Sequence, residues 1–186
     1  MLKRLMSVLI LSCILLVTFI SPCSAGADFT EVEIAYTFTR FTLSDINRNI
    51  NLELASKAID YYIIENGDSF SFNDVVGPRS SSRGYRSANV IVNNKFVPGI
   101  GGGICQVSST LYWAATKCNL KILERHPHSL PVNYIPKGKD ATVSYGQLDL
   151  KFKNNTGDPI RIEAHTDRNY GIQTIRIWQR VQNINI

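Results

Sequence analysis

Cys105 follows Gly101, Gly102 and Gly103 in "GIGGGICQVSSTLYW", at the head of a stretch with helical spacing. Glycines accept positive φ and let one backbone approach another closely. A thiol in the first turn of a helix faces unpaired N–H groups and the positive end of the helix dipole, and both favour the thiolate. A nucleophilic cysteine also needs a base. "LERHPHSLP" offers His126 and His128, and "KDATVSYG" adds Asp140, so the chain order is Cys, His, Asp. With the cysteine opening a helix and its partners on later strands, this is the layout of papain-like and transglutaminase-like enzymes. The roles that follow are Cys105 as nucleophile, His126 or His128 as base and Asp140 as orienter. His128 is favoured, because Ser129 and Leu130 turn the chain back toward the core.

Two other chemistries use the same residues. Cys105 can pack as a small apolar side chain in a tight glycine turn. In an extended strand Glu124, His126 and His128 point to one face, a spacing able to hold a divalent metal with Cys105 as an extra ligand. The cysteine spacing matches no zinc motif, so no metal or other cofactor is expected. Ser108, Ser109 and Thr110 are rival nucleophiles, but in the first turns of a helix such residues mostly bond the backbone. Arg79, Arg83 and Arg86 in "GPRSSSRGYRS" suit carboxylates or phosphates. Gly101, Gly102, Gly103, Gln106 and Arg79 are therefore the candidate substrate contacts, and lone His165 reads as structural.

Positioning these groups takes two helices and several strands. "NINLELASKAIDYYIIENG" has apolar residues at helical spacing, with Asn49 or Asn51 as cap and Gly67 as stop. A second helix spans roughly Cys105 to Thr116, stopped by Asn119. "NVIVNNKFV" reads as a hairpin turning at Asn93 and Asn94. Strands are expected at Lys121 to Glu124, Ala141 to Ser144, Leu148 to Phe152, Ile160 to His165 and Gln173 to Trp178. Leu148, Leu150 and Phe152 alternate with Asp149, Lys151 and Lys153, as a sheet with one wet face requires. The fold class is α+β: two main helices on an antiparallel sheet, with strands mostly in the C-terminal half.

Lys3 and Arg4 precede an uncharged run from Leu5 to Ile20, followed by Pro22 and small residues. That is the layout of a secretory signal peptide over residues 1–25, too short to favour a retained anchor. A short segment, 26–40, then leads into a single domain at 41–180. Losing Lys3 and Arg4 lowers the net charge from +5 to +3. A mild positive charge without Lys/Arg runs argues against nucleic acid and suits an anionic wall polymer. Membrane contact is expected only if the N-terminal segment is retained. Beyond it only Cys105 and Cys118 remain, and on one helix they lie roughly 20 Å apart, too far to bridge.

The stretches "FSFNDVVGPR", "GYRSANVIVNNKFVPGIGGGICQVSSTLY" and "ILERHPHSLPVNYIPKGKDATVSYGQLDLKFKNNT" together resemble the VanW-like proteins, from about Phe41 to Trp178. The resemblance implies a Gram-positive cell-envelope protein, of a family named for accessory members of glycopeptide-resistance gene clusters. It implies no particular reaction. The expected function is an exported protein acting on peptidoglycan or its peptide stem through a Cys/His site. The alternative is a non-catalytic envelope module that binds wall peptide or a protein partner.

Overall fold

A computed structural model describes residues 29–183. The expected signal peptide, with Cys13 and Cys23, lies outside the described residues. The largest sheet is antiparallel and has four strands, β1 (Phe29–Arg40), β9 (Ile172–Gln182), β8 (Ile160–Asp167) and β2 (Ile63–Ile64), in that order. Helices α1 (Ile46–Ile59) and α3 (Ile104–Lys117) cover its inner face, α1 on β8 and α3 on β1 and β9. This is the α+β arrangement of helices on an antiparallel sheet.

The inner face is a set of cross-strand rows. Ala35 and Ile162 flank Ile177, while Thr37 and Ala164 flank Ile175. These positions are buried, and Leu52, Ala55 and Ile59 of α1 and Val107, Leu111 and Ala114 of α3 close over them. Thr37 donates to the Thr110 carbonyl at 3.0 Å, and Thr39 shares a 2.9 Å hydrogen bond with the Thr110 hydroxyl. Buried hydroxyls on β1 thus dock on α3 with their polar groups satisfied. Residues 26–40, expected as a short leading segment, include this strand.

A second sheet orders β3 (Ser69–Ser71), β7 (Lys151–Lys153) and β6 (Lys121–Glu124). Its core is Phe70 stacked on Phe152 at 4.9 Å between ring centroids. A short helix, α2 (Phe72–Val76), follows β3 directly and is capped by Ser71. The hairpin of β4 (Ser87–Val92) and β5 (Lys95–Ile100) turns at Asn93 and Asn94, both at positive φ, as a two-residue turn matched to strand twist requires.

Helix α1 differs from its expected bounds. Asp45 caps it by accepting from the Arg48 N–H. It ends at Ile59, before Tyr61 takes a left-handed conformation. Asn49 and Asn51 are not caps but buried fasteners inside the helix. Asn51 accepts from the Arg86 N–H and donates to the carbonyls of Arg86 and Gly102, tying α1 to the turn before α3. Residues 141–144 form no strand, and only an isolated bridge joins Ser144 to Leu148. Asp149, expected on a wet face, is buried and accepts from Ser71, the Asn73 N–H and the Leu150 N–H.

On the outer face Glu31 receives both arms of Arg161, at 2.8 and 2.6 Å, and Arg180 at 3.0 Å. The Arg161 hydrogen bond outweighs burial and, with Arg180, holds the Glu31 carboxyl at about 2. A depressed folded pKa stabilises above the unfolded value of 4.5, and the contribution fades as pH falls toward 2. Glu31→Gln is expected to lower stability by about 1–2 kcal/mol at pH 7, after discounting for the part-exposed carboxylate. The deficit should shrink steadily below pH 4.5 in urea titrations, and a pH-independent deficit would disprove the linkage.

Candidate active site

The start of α3 is built by close approach of backbone. Gly101 and Gly103 are both at positive φ. A Cβ on Gly102 would fall 2.6 Å from the backbone of Ala88 and Asn89 in the hairpin. One on Gly103 would fall 2.6 Å from Arg48 Cγ and 2.7 Å from Leu52 Cδ1 in α1. The glycines therefore let the hairpin and α1 press on the head of α3. Gln106 is likewise committed inside: its amide donates to Thr39 and to the Arg40 carbonyl, and its oxygen accepts from Arg48 at 2.6 Å. These four candidate substrate contacts are packed into the scaffold.

Cys105 occupies the first turn, half-buried, and its thiol donates to the Val143 carbonyl at 3.5 Å. Among the described residues its own N–H finds no acceptor, as expected of the first helical turn. Ser108 donates to the Ala141 carbonyl at 2.7 Å, and Ser109 accepts from the Ala141 N–H at 2.9 Å. These two of the three rival nucleophiles thus fasten the chain next to Asp140 onto α3, and the third, Thr110, donates to the Gln106 carbonyl.

Asp140 meets His128 twice. Its Oδ2 accepts from the His128 backbone N–H at 2.7 Å and lies 2.8 Å from Nδ1. Its Oδ1 accepts from Arg125 at 2.7 Å, and Arg125 Nε also donates to the Asp140 carbonyl. With Nδ1 held, Nε2 is the free ring nitrogen, 3.5 Å from the Tyr134 hydroxyl. The imidazole lies within interaction range of the Cys105 thiol, whose own hydrogen bond goes to the Val143 carbonyl. Burial pushes the thiol pKa up, but the influence of His128, joined by Val143 and the charge of Arg79, brings the net direction down. Burial pulls His128 down, while the thiol and then Asp140 raise it, and the net direction is up. The two shifts favour a thiolate beside an imidazolium.

His126 goes elsewhere. β6 ends at Glu124, so 124, 126 and 128 do not share a strand face as expected. His126 Nε2 lies 3.0 Å from Glu124, which also binds Lys151 at 2.9 Å. The ligand set Glu124, His126 and His128 is not brought together, and the described residues contain no group of three ligating side chains. Cys118 makes its sulfur bonds to helix carbonyls, and burial pushes its thiol up to about 11.

Arg125, Tyr134 and Arg48 join the site without having been singled out from the sequence. They lie in irregular chain or on the polar side of a helix, where no periodicity marks them. A cleft of about 400 Å³ lined by Leu43, Ile46, Glu53 and Arg168, among others, shares no residue with this site.

"Uncharacterized protein YoaR" of Bacillus subtilis (strain 168) is 43% identical over 138 residues, covering 74% of this chain and 46% of that protein. "Vancomycin B-type resistance protein VanW" of Enterococcus faecalis (strain ATCC 700802 / V583) is 35% identical over 115 residues, covering 59% of this chain and 42% of that protein. The chain thus spans less than half the length of these curated relatives. No solved structure matches. A family model described as "VanW like protein" matches residues 47–178, a span holding α1, α3, Cys105, His128 and Asp140, and the chain belongs to this family.

Proposed function

We propose that this protein is exported and acts in the cell envelope, transferring or hydrolysing acyl groups of the peptidoglycan peptide stem through Cys105, His128 and Asp140. The observation that carries the reading is His128, fixed by Asp140 through Nδ1 and placed within interaction range of the thiol. Export rests on the basic, apolar and small-residue layout of the N-terminus. The envelope rests on the likeness to a protein named for vancomycin resistance.

The chemistry is an acyl transfer in two steps. The Cys105 thiolate attacks a peptide carbonyl, forming a C–S bond as the C–N bond breaks, and imidazolium His128 gives its proton to the departing amine. Water or another amine then attacks the thioester, loses its proton to His128 and restores the thiolate. Arg125 and Asp140 keep the ring oriented throughout. The rate should be bell-shaped in pH. Acid protonates the thiolate below the lowered Cys105 pKa, and alkali strips the imidazolium above the raised His128 pKa.

The test is incubation of the purified protein with peptide stems, acid quench and mass analysis. A thioester on Cys105 or new stem products, both lost in Cys105→Ser, is the expected result. No adduct and no product, with Cys105 alkylated as slowly as Cys118 at pH 6, would overturn the proposal in favour of a binding module.

A further inference from the structure

Arg79 stands just before the 3-10 turn at Ser81–Arg83, with its stem against the turn that opens α3. A Cβ on Gly101 would fall 3.1 Å from Arg79 Cβ and Cγ. Its guanidinium lies over the rings of Phe72 and Tyr145, 5.7 and 5.8 Å from their centroids. Nη1 donates to Asn73 Oδ1 at 2.7 Å, and Asn73 is itself held by the carbonyls of Ser144 and Leu148. The cation is therefore locked in place. Its Nη2 is buried and, among the described residues, has no hydrogen-bond partner.

A buried cation with an unfilled donor is costly unless an anion stands near. No carboxylate among the described residues pairs with Arg79. Asp149, within range of its charge, already accepts from Ser71, Asn73 and Leu150. The charged and titratable groups facing Cys105 are His128 and Tyr134 from the chain after β6, Arg48 from α1, and Arg79. Tyr134 is neutral, because burial raises its hydroxyl well above the ordinary range. Arg48 gives its Nη2 to Gln106. That leaves Arg79 as a fixed cation with a donor unspent, held over Tyr145 and, through Asn73, at the Ser144 carbonyl, next to the Val143 carbonyl that takes the Cys105 thiol.

We propose that Arg79 is the fixed counter-charge of the Cys105 thiolate, a positioning residue that keeps the nucleophile anionic alongside His128. The inference rests on the Cys/His reading of the site. Because the guanidinium is already locked, it needs no reorganisation as negative charge passes from sulfur to the substrate oxygen during attack. The same burial that leaves Nη2 without a partner keeps water from screening it.

The experiment measures iodoacetamide labelling of Cys105 in the full chain at pH 6, resolved by peptide mass, for native protein, Arg79→Gln and Arg79→Lys. Arg79→Gln removes the charge and should slow labelling about tenfold. Arg79→Lys keeps the charge and should stay within about threefold of native. Native-rate labelling in Arg79→Gln overturns the proposal, as does an equal loss in both variants, which would mark a purely structural role. Should Arg79→Gln fail to fold by circular dichroism, folded Arg79→Lys decides alone: a retained rate supports the counter-charge and a tenfold loss overturns it. The underlying reading fails separately, if native Cys105 labels no faster than Cys118. Fast native labelling that Arg79→Gln leaves unchanged removes only Arg79 from the site.

Discussion

His128→Ala will slow alkylation of Cys105 at pH 6 on the order of a hundredfold, because the thiolate is the reacting form and loses its base. The variant removes the hydrogen bond and the charge that hold the thiolate, while the burial that opposes ionisation remains. His126→Ala is the matched control. Its imidazole is occupied by Glu124 on part-exposed surface, so its loss should leave the labelling rate within about twofold. Cys118 supplies an internal reference in each sample, since its thiol is held at about 11 and labels slowly throughout. Equal effects of the two histidine variants would show that His128 has no special relation to the thiol.

Gly102→Ala will cost about 3 kcal/mol and lower the melting temperature by roughly 10 °C. The added methyl would meet main-chain atoms of Ala88 and Asn89 at 2.6 Å, and backbone in a paired hairpin cannot swing aside as a side chain can. Gly146→Ala separates this clash from simple loss of a glycine. Gly146 has positive φ but open space around its Cα, so only backbone strain of about 1 kcal/mol is expected. Comparable losses in the two variants would mean that the hairpin yields and the close approach is not a fixed constraint.

Much of the frame was legible in residue types. Asn93 and Asn94 sit where a tight hairpin needs positive φ, and Asn119 ends α3 in the same conformation. The order Cys, His, Asp was readable because it needs only composition along the chain. Which histidine faces sulfur was harder. The expectation of one face for Glu124, His126 and His128 assumed that β6 continues, whereas the strand stops at Glu124 and His126 gives its carbonyl to the Thr142 N–H. His128 is then set by Asp140, a contact across twelve residues of irregular chain that no local rule encodes.

Available backbone and hydroxyl partners, more than residue polarity, decide several other placements. In β1 the larger apolar side chains Tyr36 and Phe38 point outward, with Arg176 over Tyr36 and Arg40 over Phe38, while Ala35, Thr37 and Thr39 turn in. A bulge between Glu33 and Ala35 shifts the register, and α3 offers hydroxyl and carbonyl partners that make threonine the better inner residue. Asn51, expected as a helix cap, and Asp149, expected on a wet face, are both buried because each meets several backbone groups at once. Gly101, Gly102 and Gly103 allow close approach of a ligand or of another chain segment, and here it is neighbouring chain that approaches.

The pairing of β1 with β9 bears on when the molecule can fold. Glu31 and Arg180, 149 residues apart, are joined across the sheet, and the inner face of β1 also anchors Gln106 in the first turn of α3. The helix head that carries Cys105 is thus braced by a strand whose sheet neighbour is synthesised after every other described element. Contacts of such long range close slowly, because loop entropy must be overcome before they form. Until residue 172 is available, β1 has no partner strand and the chain stays open. A polypeptide of this topology remains threadable for as long as β9 is withheld, which suits the passage across a membrane proposed above.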